Sequence, residues 1–321
     1  MPSSNRLRIQ LTSPTPLSTF VAGIDIAGQT SMDAKAIAGF CADASARNLR
    51  PRTIEGYTRR LETLRAVAIM AGTTTLGLTK PGIRAWLFDV GTRWSQSTIA
   101  SYLRVWKHFY KWACIEGLCT NSPMDGITMP KLDQKIPPVL KQAQMELLLE
   151  SFDTTTFLGR RNFTMTVTLY DTAIRVGELI ALTLDDIQPN RTLVISRSKS
   201  RRPRLVPVSA DAYAVIESYI IGERRQIPGD ALFCYGDGDP MTIPRVQALY
   251  RDLGKELGFR CYPHLFRHSS ATAMANDGIP LRSLQKILGH SRLSTTEIYV
   301  HPDEATIRLH HDQHSPMKGL L

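Results

Sequence analysis

The sequence predicts a mainly α-helical protein of two domains, with one small antiparallel sheet in the second. Three observations predict it. Apolar residues recur at three-to-four spacing from Ser31 to about Gly117, the period of helices that bury one stripe. Pro123, Pro130, Pro137 and Pro138, with Gly126, then interrupt residues 121–138 without any apolar period, marking a semi-extended linker. Beyond it helical periods resume, broken by one pair of β-type segments, Thr192–Ser196 and Arg204–Val208, which suit a hairpin.

In chain order, residues 1–30 are rich in Ser, Thr, Pro and Gly and read as a flexible arm with no fold of its own. Residues 31–120 form the first, four-helix domain. Ser31 is the expected cap of a helix through Arg47, and Pro51 precedes a second with Ile54, Tyr57, Leu61, Leu64 and Ala68 on one face; proline suits a first helical turn because its missing N–H has no partner there. A third runs near Pro81 to Val90 and a fourth from Ser97 to Glu116. The fourth turns Ile99, Tyr102, Leu103, Trp106, Phe109, Tyr110 and Ala113 inward and carries Arg104, Lys107 and Lys111 on another face. An aromatic stripe at helical spacing reads as core; the basic stripe is the candidate binding face. After the linker, residues 139–321 form the second domain, mixed α/β, with the loop 197–203 joining its two strands.

At 321 residues and 43% hydrophobic content, the chain can bury substantial cores. No apolar run approaches the roughly 20 residues of a membrane span, and Met1 to Thr19 lacks a signal-peptide core; no membrane partner and a cytoplasmic location are expected. The five cysteines, Cys41, Cys114, Cys119, Cys234 and Cys261, are scattered, complete no zinc pattern, and read as reduced thiols that pack. The net charge of +10 is uneven: residues 1–137 hold 17 Lys and Arg against 9 Asp and Glu, or +8 of the total. Such a surface favours a polyanion through counterion release, although charge alone equally fits a solvated basic protein.

Three weaker signals point to no chemistry. Gly72-Thr73-Thr74-Thr75-Leu76-Gly77-Leu78-Thr79 mimics a phosphate loop but lacks the Lys-Ser/Thr that follows, so it reads as a loop between helices. Adjacent Asp185 and Asp186 diverge on any regular element and fit a helix-end loop better than a metal pair. His310, His311 and His314 read as a solvated tail. No metal site is expected.

Five blocks carry the chemistry: Thr172-Ala173-Ile174-Arg175-Val176-Gly177-Glu178-Leu179; Lys199 in the strand-joining turn; His264-Leu265-Phe266-Arg267-His268; Leu288-Gly289-His290-Ser291; and Ser294-Thr295-Thr296-Glu297-Ile298-Tyr299-Val300-His301. In this order they resemble the tyrosine recombinase family of phage integrases and Xer-type enzymes. The resemblance covers nearly all of the second domain, and the first looks like that family's core-binding domain. It implies an N-terminal four-helix core-binding domain and a C-terminal tyrosine recombinase catalytic domain that together close around duplex DNA.

The resemblance assigns Arg175 and Arg267 as phosphate-binding guanidinium groups, Tyr299 as nucleophile, His264 as general base, His290 as a phosphate-contacting donor and Lys199 as general acid. Arginine fits because its planar fork gives two parallel hydrogen bonds to a phosphate and keeps its charge. Glu178, three residues after Arg175, is expected to orient it; an ordinary helix ion pair is the simpler account. Arg197, Arg201 and Arg202 surround Lys199 and can lower its pKa or simply grip phosphate with it. Ala173 and Ser198 stand where the family commonly has Gly, and Phe266 where Leu is usual. No cofactor is implied, because exchanging a phosphodiester for a phosphotyrosine conserves bond energy.

The function this implies is site-specific recombination: DNA strands cleaved and rejoined through a 3′-phosphotyrosyl intermediate, in integration, excision or resolution. Expected partners are double-stranded recombination sites and other copies of the chain, a homo-tetramer on paired sites and a monomer or weak oligomer when free, with scope for an accessory directionality protein. Residues 302–321 suit docking on a neighbouring copy, with a frayed terminus almost as good an account, and residues 1–30 look too short for the separate arm-binding domain of larger integrases. Two rivals stand beside it: a type IB topoisomerase-like relaxing enzyme using the same five groups, and a DNA-binding regulator that has lost catalysis and has no need of Tyr299 facing two arginines.

Overall fold

The computed structural model describes residues 26–132, 137–196, 203–290 and 292–299, with Arg308 and His311. The chain divides into two compact units, residues 1–134 and 135–321. It is mainly helical with one three-stranded antiparallel sheet, the fold class the sequence predicts. No described helix is long and apolar enough to cross a membrane.

In the first unit, α1 (Ile26–Ala46), α2 (Pro51–Met70), α3 (Lys80–Gly91) and α4 (Gln96–Ile115) follow one another. Here one expectation fails: α1 begins at Ile26, so Ser31 lies inside the helix rather than capping it. Gly28 and Thr30 are weak helix formers, but propensity is a small bias that packing overrides, and α1 packs on both α2 and α4. Proline opens α2, and the Ser95 hydroxyl caps α4 by accepting the Thr98 N–H at 3.2 Å.

The inward stripe of α4 is core. Leu103, Trp106, Phe109 and Tyr110 are fully buried, and Trp106 donates its indole N–H to the Arg60 carbonyl at 2.9 Å. Arg104, Lys107 and Lys111 are exposed on the opposite side. The loop from Gly72 to Thr79 is pinned from two directions. Buried Asp33 accepts both the Thr75 N–H, at 2.8 Å, and the Thr75 hydroxyl, at 2.7 Å, while Tyr110 donates to the Thr75 carbonyl. That leaves no buried donor or acceptor unpaired at Thr75.

The second unit places α5 (Gln142–Glu150), α6 (Phe157–Thr172) and α7 (Val176–Leu179) before the sheet, and α8 (Ala210–Gly222), α9 (Ile243–Glu256), α10 (Pro263–Asn276) and α11 (Leu281–Leu288) after it. Two 3₁₀ turns, Leu293–Thr295 and Glu297–Tyr299, follow α11. The core lies around α6, which packs on α8 and α10. Strands β1 (Ile187–Gln188), β2 (Thr192–Ile195) and β3 (Arg204–Pro207) pair in that order. Register sets Leu193 against Val206 and Ile195 against Arg204, so Leu193, Ile195 and Val206 bury one face. Two-residue β1 was not expected; it is too short to leave a period. Asp186 closes a 3₁₀ turn by accepting the Thr183 N–H and hydroxyl. Among the described residues no cluster of three metal-ligating side chains forms. Lys199, Arg197, Arg201 and Arg202 lie outside the described residues, between β2 and β3, as does most of 302–321.

All four tryptophans, Trp86, Trp94, Trp106 and Trp112, lie in the first unit, so their fluorescence in urea reports its unfolding alone. Trp106→Ala should cost about 3–5 kcal/mol by that probe, as for large aromatic truncations in cores. Lys107→Ala should stay within about 0.5 kcal/mol.

Candidate active site

Two helix ends and one strand start build the site. Helix α6 stops at Ala173, whose backbone is left-handed (φ 52°) and whose side chain is fully buried. This is the position where Gly is usual, because L residues are disfavoured there by roughly 1–2 kcal/mol; the small methyl still fits. The chain then turns through buried Ile174 to Arg175, the residue that caps α7. Glu178, on the third residue of α7, reaches back: its Oε2 accepts the Arg175 backbone N–H and its Oε1 accepts from the Arg175 guanidinium, both at 2.9 Å.

Arg204, the first residue of β3, completes this cluster. Its two terminal nitrogens donate to both oxygens of Glu178, at 2.9 and 2.8 Å, and its Nε donates to the Ile287 carbonyl at 3.2 Å. Gly289 makes room for it: a Cβ there would sit 2.9–3.0 Å from the Arg204 side chain. Glu178 is almost fully buried, Arg204 nearly so, while the Arg175 side chain keeps 27% exposure. One carboxylate therefore aligns two guanidinium groups, of which Arg175 is the more open to a ligand.

Arg267, on the second turn of α10, is buried, and its partners are backbone carbonyls. It donates to Ala173 O at 2.6 Å and Leu288 O at 2.8 Å. Both carbonyls stand at C-terminal helix ends, of α6 and α11, where carbonyls lack intrahelical partners and the dipole is negative. Arg267 also lies 2.9 Å from His290 Nε2. Since arginine only donates, Nε2 accepts and the ring proton sits on Nδ1, which donates to Thr296 Oγ1 at 3.0 Å. Burial, then Arg267, Arg175 and Arg204, push the His290 pKa down to about 4, so at neutral pH this ring is uncharged.

Tyr299 is buried at the end of the chain's last described turn, packed with Ala173, Ala271, Leu284 and Leu288. Its phenol oxygen lies 2.9 Å from His268 Nδ1, and its ring lies near-parallel to His290 with centroids 6.4 Å apart. Burial holds the phenol above its ordinary range against the pull of Arg267 and Arg175. His264 and His268 share one face of α10, ring centroids 6.3 Å apart. Burial and the neighbouring charge of Arg267 hold both below the ordinary histidine range. His264 opens onto a cleft of about 440 Å³ lined also by Arg251, Lys255, Arg260 and Tyr262, with the Arg260 guanidinium 5.0 Å over the Tyr262 ring.

The structure thus brings Arg175, Glu178, His264, Arg267, His290 and Tyr299 into one site. Three features escaped the sequence reading: Arg204 as the second partner of Glu178, His268 as the hydrogen-bond partner of Tyr299, and the basic cleft beside His264. Arg204 had a signal, being a charged residue whose register partner, Ile195, is buried. His268 had one too: it is four residues after His264, hence on the same helical face.

Burial raises the Glu178 carboxyl, but hydrogen bonds and charge from Arg204 and Arg175 outweigh it and bring the pKa from 4.5 to about 2. A depressed carboxylate stabilises the fold above its unfolded value and stops doing so as pH falls through the folded value. Glu178→Gln should therefore cost about 3 kcal/mol near pH 7, as for breaking a buried ion pair. The gap to wild type should narrow from pH 4.5 towards pH 2, read by amide exchange on peptides of the second unit.

Residues 138–306 match the phage integrase family, and residues 38–117 match the phage integrase N-terminal SAM-like domain. Tyrosine recombinase XerC of Bacillus licheniformis is 30% identical over 280 residues, spanning 84% of this chain and 92% of that protein. Tyrosine recombinase XerD of Pseudomonas aeruginosa is 31% identical over 279 residues, spanning 84% and 93%. In fold, the chain is similar to the Tn1549 transposon integrase solved with a circular intermediate DNA, with TM-score 0.72 at 21% identity over 87% of this chain and 98% of that one. The chain therefore belongs to the phage integrase family, the site-specific tyrosine recombinases.

Proposed function

We propose that the protein cuts and rejoins duplex DNA through a covalent bond between Tyr299 and a 3′-phosphate, exchanging strands between two paired sites. The observation that carries this is a continuous cluster of cations, imidazoles and phenol: Arg267 lies 2.9 Å from His290 Nε2, the His290 ring lies 6.4 Å from that of Tyr299, and the Tyr299 oxygen lies 2.9 Å from His268 Nδ1. A phosphodiester gathers charge on its non-bridging oxygens in the transition state, and rigid donors placed there beforehand stabilise it. By analogy with oxyanion-hole deletions, each such donor lowers the barrier by about 3 kcal/mol.

The phenol, with an ordinary pKa near 10, is about one part in a thousand ionised at neutral pH, so it needs both the guanidinium charges and a proton acceptor. The imidazole pair His264 and His268 supplies that acceptor, the role the resemblance gives to His264. His290 donates to the phosphate once its Nε2 is protonated, which requires exchanging its bond with Arg267 for one to the anion. Lys199 protonates the leaving 5′-oxygen, and Arg197, Arg201 and Arg202 beside it hold phosphates. The exposed stripe of Arg104, Lys107 and Lys111 on α4 and the cleft with Arg251, Lys255 and Arg260 carry further backbone contacts. A homo-tetramer assembles on paired sites, with an accessory directionality protein where the direction of exchange is controlled, in the bacterial cytoplasm.

Covalent trapping tests the reading. The purified protein, on nicked end-labelled duplexes from its own genomic neighbourhood and with EDTA in place of metal and ATP, should form a denaturant-resistant adduct on the 3′-end. Tyr299→Phe should form none, and Arg175→Ala or Arg267→Ala should slow adduct formation by 10²-fold or more. Supercoil relaxation without joining of two sites would favour the topoisomerase-like alternative. Binding with no adduct would favour the regulator.

A further inference from the structure

We propose that Cys114 and Cys119 form a redox-active dithiol, whose disulfide, made by exchange with a low-molecular-weight disulfide, clamps the end of α4 to the segment that follows it. The two sulfurs lie 3.0 Å apart, and the way α4 ends puts them there. Gly117 is left-handed (φ 71°). Its N–H donates to the Cys114 carbonyl at 3.2 Å, and the Leu118 N–H donates to the Ala113 carbonyl at 2.8 Å. These two bonds are the Schellman pair that reverses a chain at a helix C-terminus, so residue 119 returns beside the last turn of the helix. A disulfide of ordinary length needs the sulfurs to close by about 1 Å. Beyond Cys119 the chain runs back to the first core through buried Met124 and partly buried Ile127 and Met129. A bond to Cys114 ties this return directly to α4.

Access and partners set this pair apart from the other cysteines. Cys114 and Cys119 are both partly exposed, whereas Cys234 and Cys261 are buried, and Cys41 faces the hydroxyl of Thr58 at 3.4 Å rather than a second thiol. Burial and the hydrogen bond with Cys114 push the Cys119 thiol up to about 12, so Cys119 keeps its proton and the first attack falls to Cys114. The Cys114 thiolate attacks one sulfur of the small disulfide, forming a mixed disulfide and releasing one small thiolate. Cys119 then loses its proton and attacks the Cys114 sulfur; the mixed S–S bond breaks and the second small thiolate leaves. Each departing thiolate regains through solvent the proton that a cysteine gave up. Two protein thiols are thus oxidised and one small disulfide is reduced to two thiols. The second step is intramolecular, and proximity offsets the weak acidity of Cys119. In a reducing compartment the pair rests as thiols, and the bond forms when the small-molecule pool is oxidised.

Glutathione buffers of rising disulfide fraction test this on the full-length protein. One tryptic peptide, residues 112–131, holds both cysteines and no other. The clamp reads there as a loss of two hydrogens by mass spectrometry, reversed by dithiothreitol. Cys119→Ser should instead trap glutathione on Cys114, and thermal melting by circular dichroism checks that the variant folds. By tryptophan fluorescence the oxidised protein should unfold at a urea midpoint higher by roughly 1 M, because the bond closes a loop in the unfolded chain. Cys114→Ser should show no such shift. A peptide 112–131 that keeps both thiols in fully oxidised buffer, or carries only glutathione, overturns the proposal. So does a bond to a second copy, seen as a dimer on a non-reducing gel, and so does an internal disulfide that leaves the urea midpoint where it was.

Discussion

The carboxylate of Glu178 organises the site more than any other group. Buried and accepting from the Arg175 guanidinium, the Arg175 backbone and both terminal nitrogens of Arg204, it ties the turn after α6 to the sheet. Arg204 in turn donates to the carbonyl of Ile287 near the end of α11, so the segment leading to His290 and Tyr299 is positioned from the same carboxylate. Burying an ion pair is costly unless the remaining hydrogen-bonding groups are satisfied; here Arg204 uses all three of its guanidinium nitrogens. The arrangement trades stability for placement, because replacing Glu178 would release two arginines and a helix end together.

Arg267 shows a second way to hold a buried cation. Its fixed partners are the carbonyls of Ala173 and Leu288, dipoles rather than a formal charge, and burial followed by Arg175 pushes its pKa down to about 10. It stays protonated at any physiological pH, yet its charge is answered only in part. Both carbonyls depend on how helices end: α6 through left-handed Ala173 and α11 through left-handed Gly289. Guanidinium position is therefore set by backbone conformation at two C-termini, which a side-chain motif does not spell out.

Much of this was legible in the sequence and some was not, for reasons that differ by residue. Helices α2 to α4 and the β2–β3 pair carry periods strong enough to read, because each buries one face against a core. The start of α1 was misplaced since Gly28 and Thr30 say coil locally and only packing on α2 and α4 says helix. Among site residues, Arg175, Glu178, Arg267, His290 and Tyr299 lie within ordered blocks and were found there. Arg204 opens a strand outside the quoted blocks, and its role exists only because β3 meets α7 and α11 in space. His268 sat in plain view next to Arg267, but which imidazole meets a phenol 31 residues later is a question of helical phase and turn geometry.

Electrostatically the site is unfinished without an anion. Arg175 and Arg204 share one carboxylate while Arg267 rests on backbone carbonyls, and burial and neighbouring positive charge disfavour the cations of three imidazoles nearby. A phosphate entering this cluster would answer the excess positive charge, tighten the guanidinium contacts in a dry environment, and raise the basicity of the imidazoles at the same moment. The proposed nucleophile, meanwhile, is masked: Tyr299 is 5% exposed, with a phenol whose burial resists ionisation. In the proposed reaction, attack therefore needs the very ligand that completes the charge balance, and the phenol stays weak until a phosphodiester lies across Arg175 and Arg267.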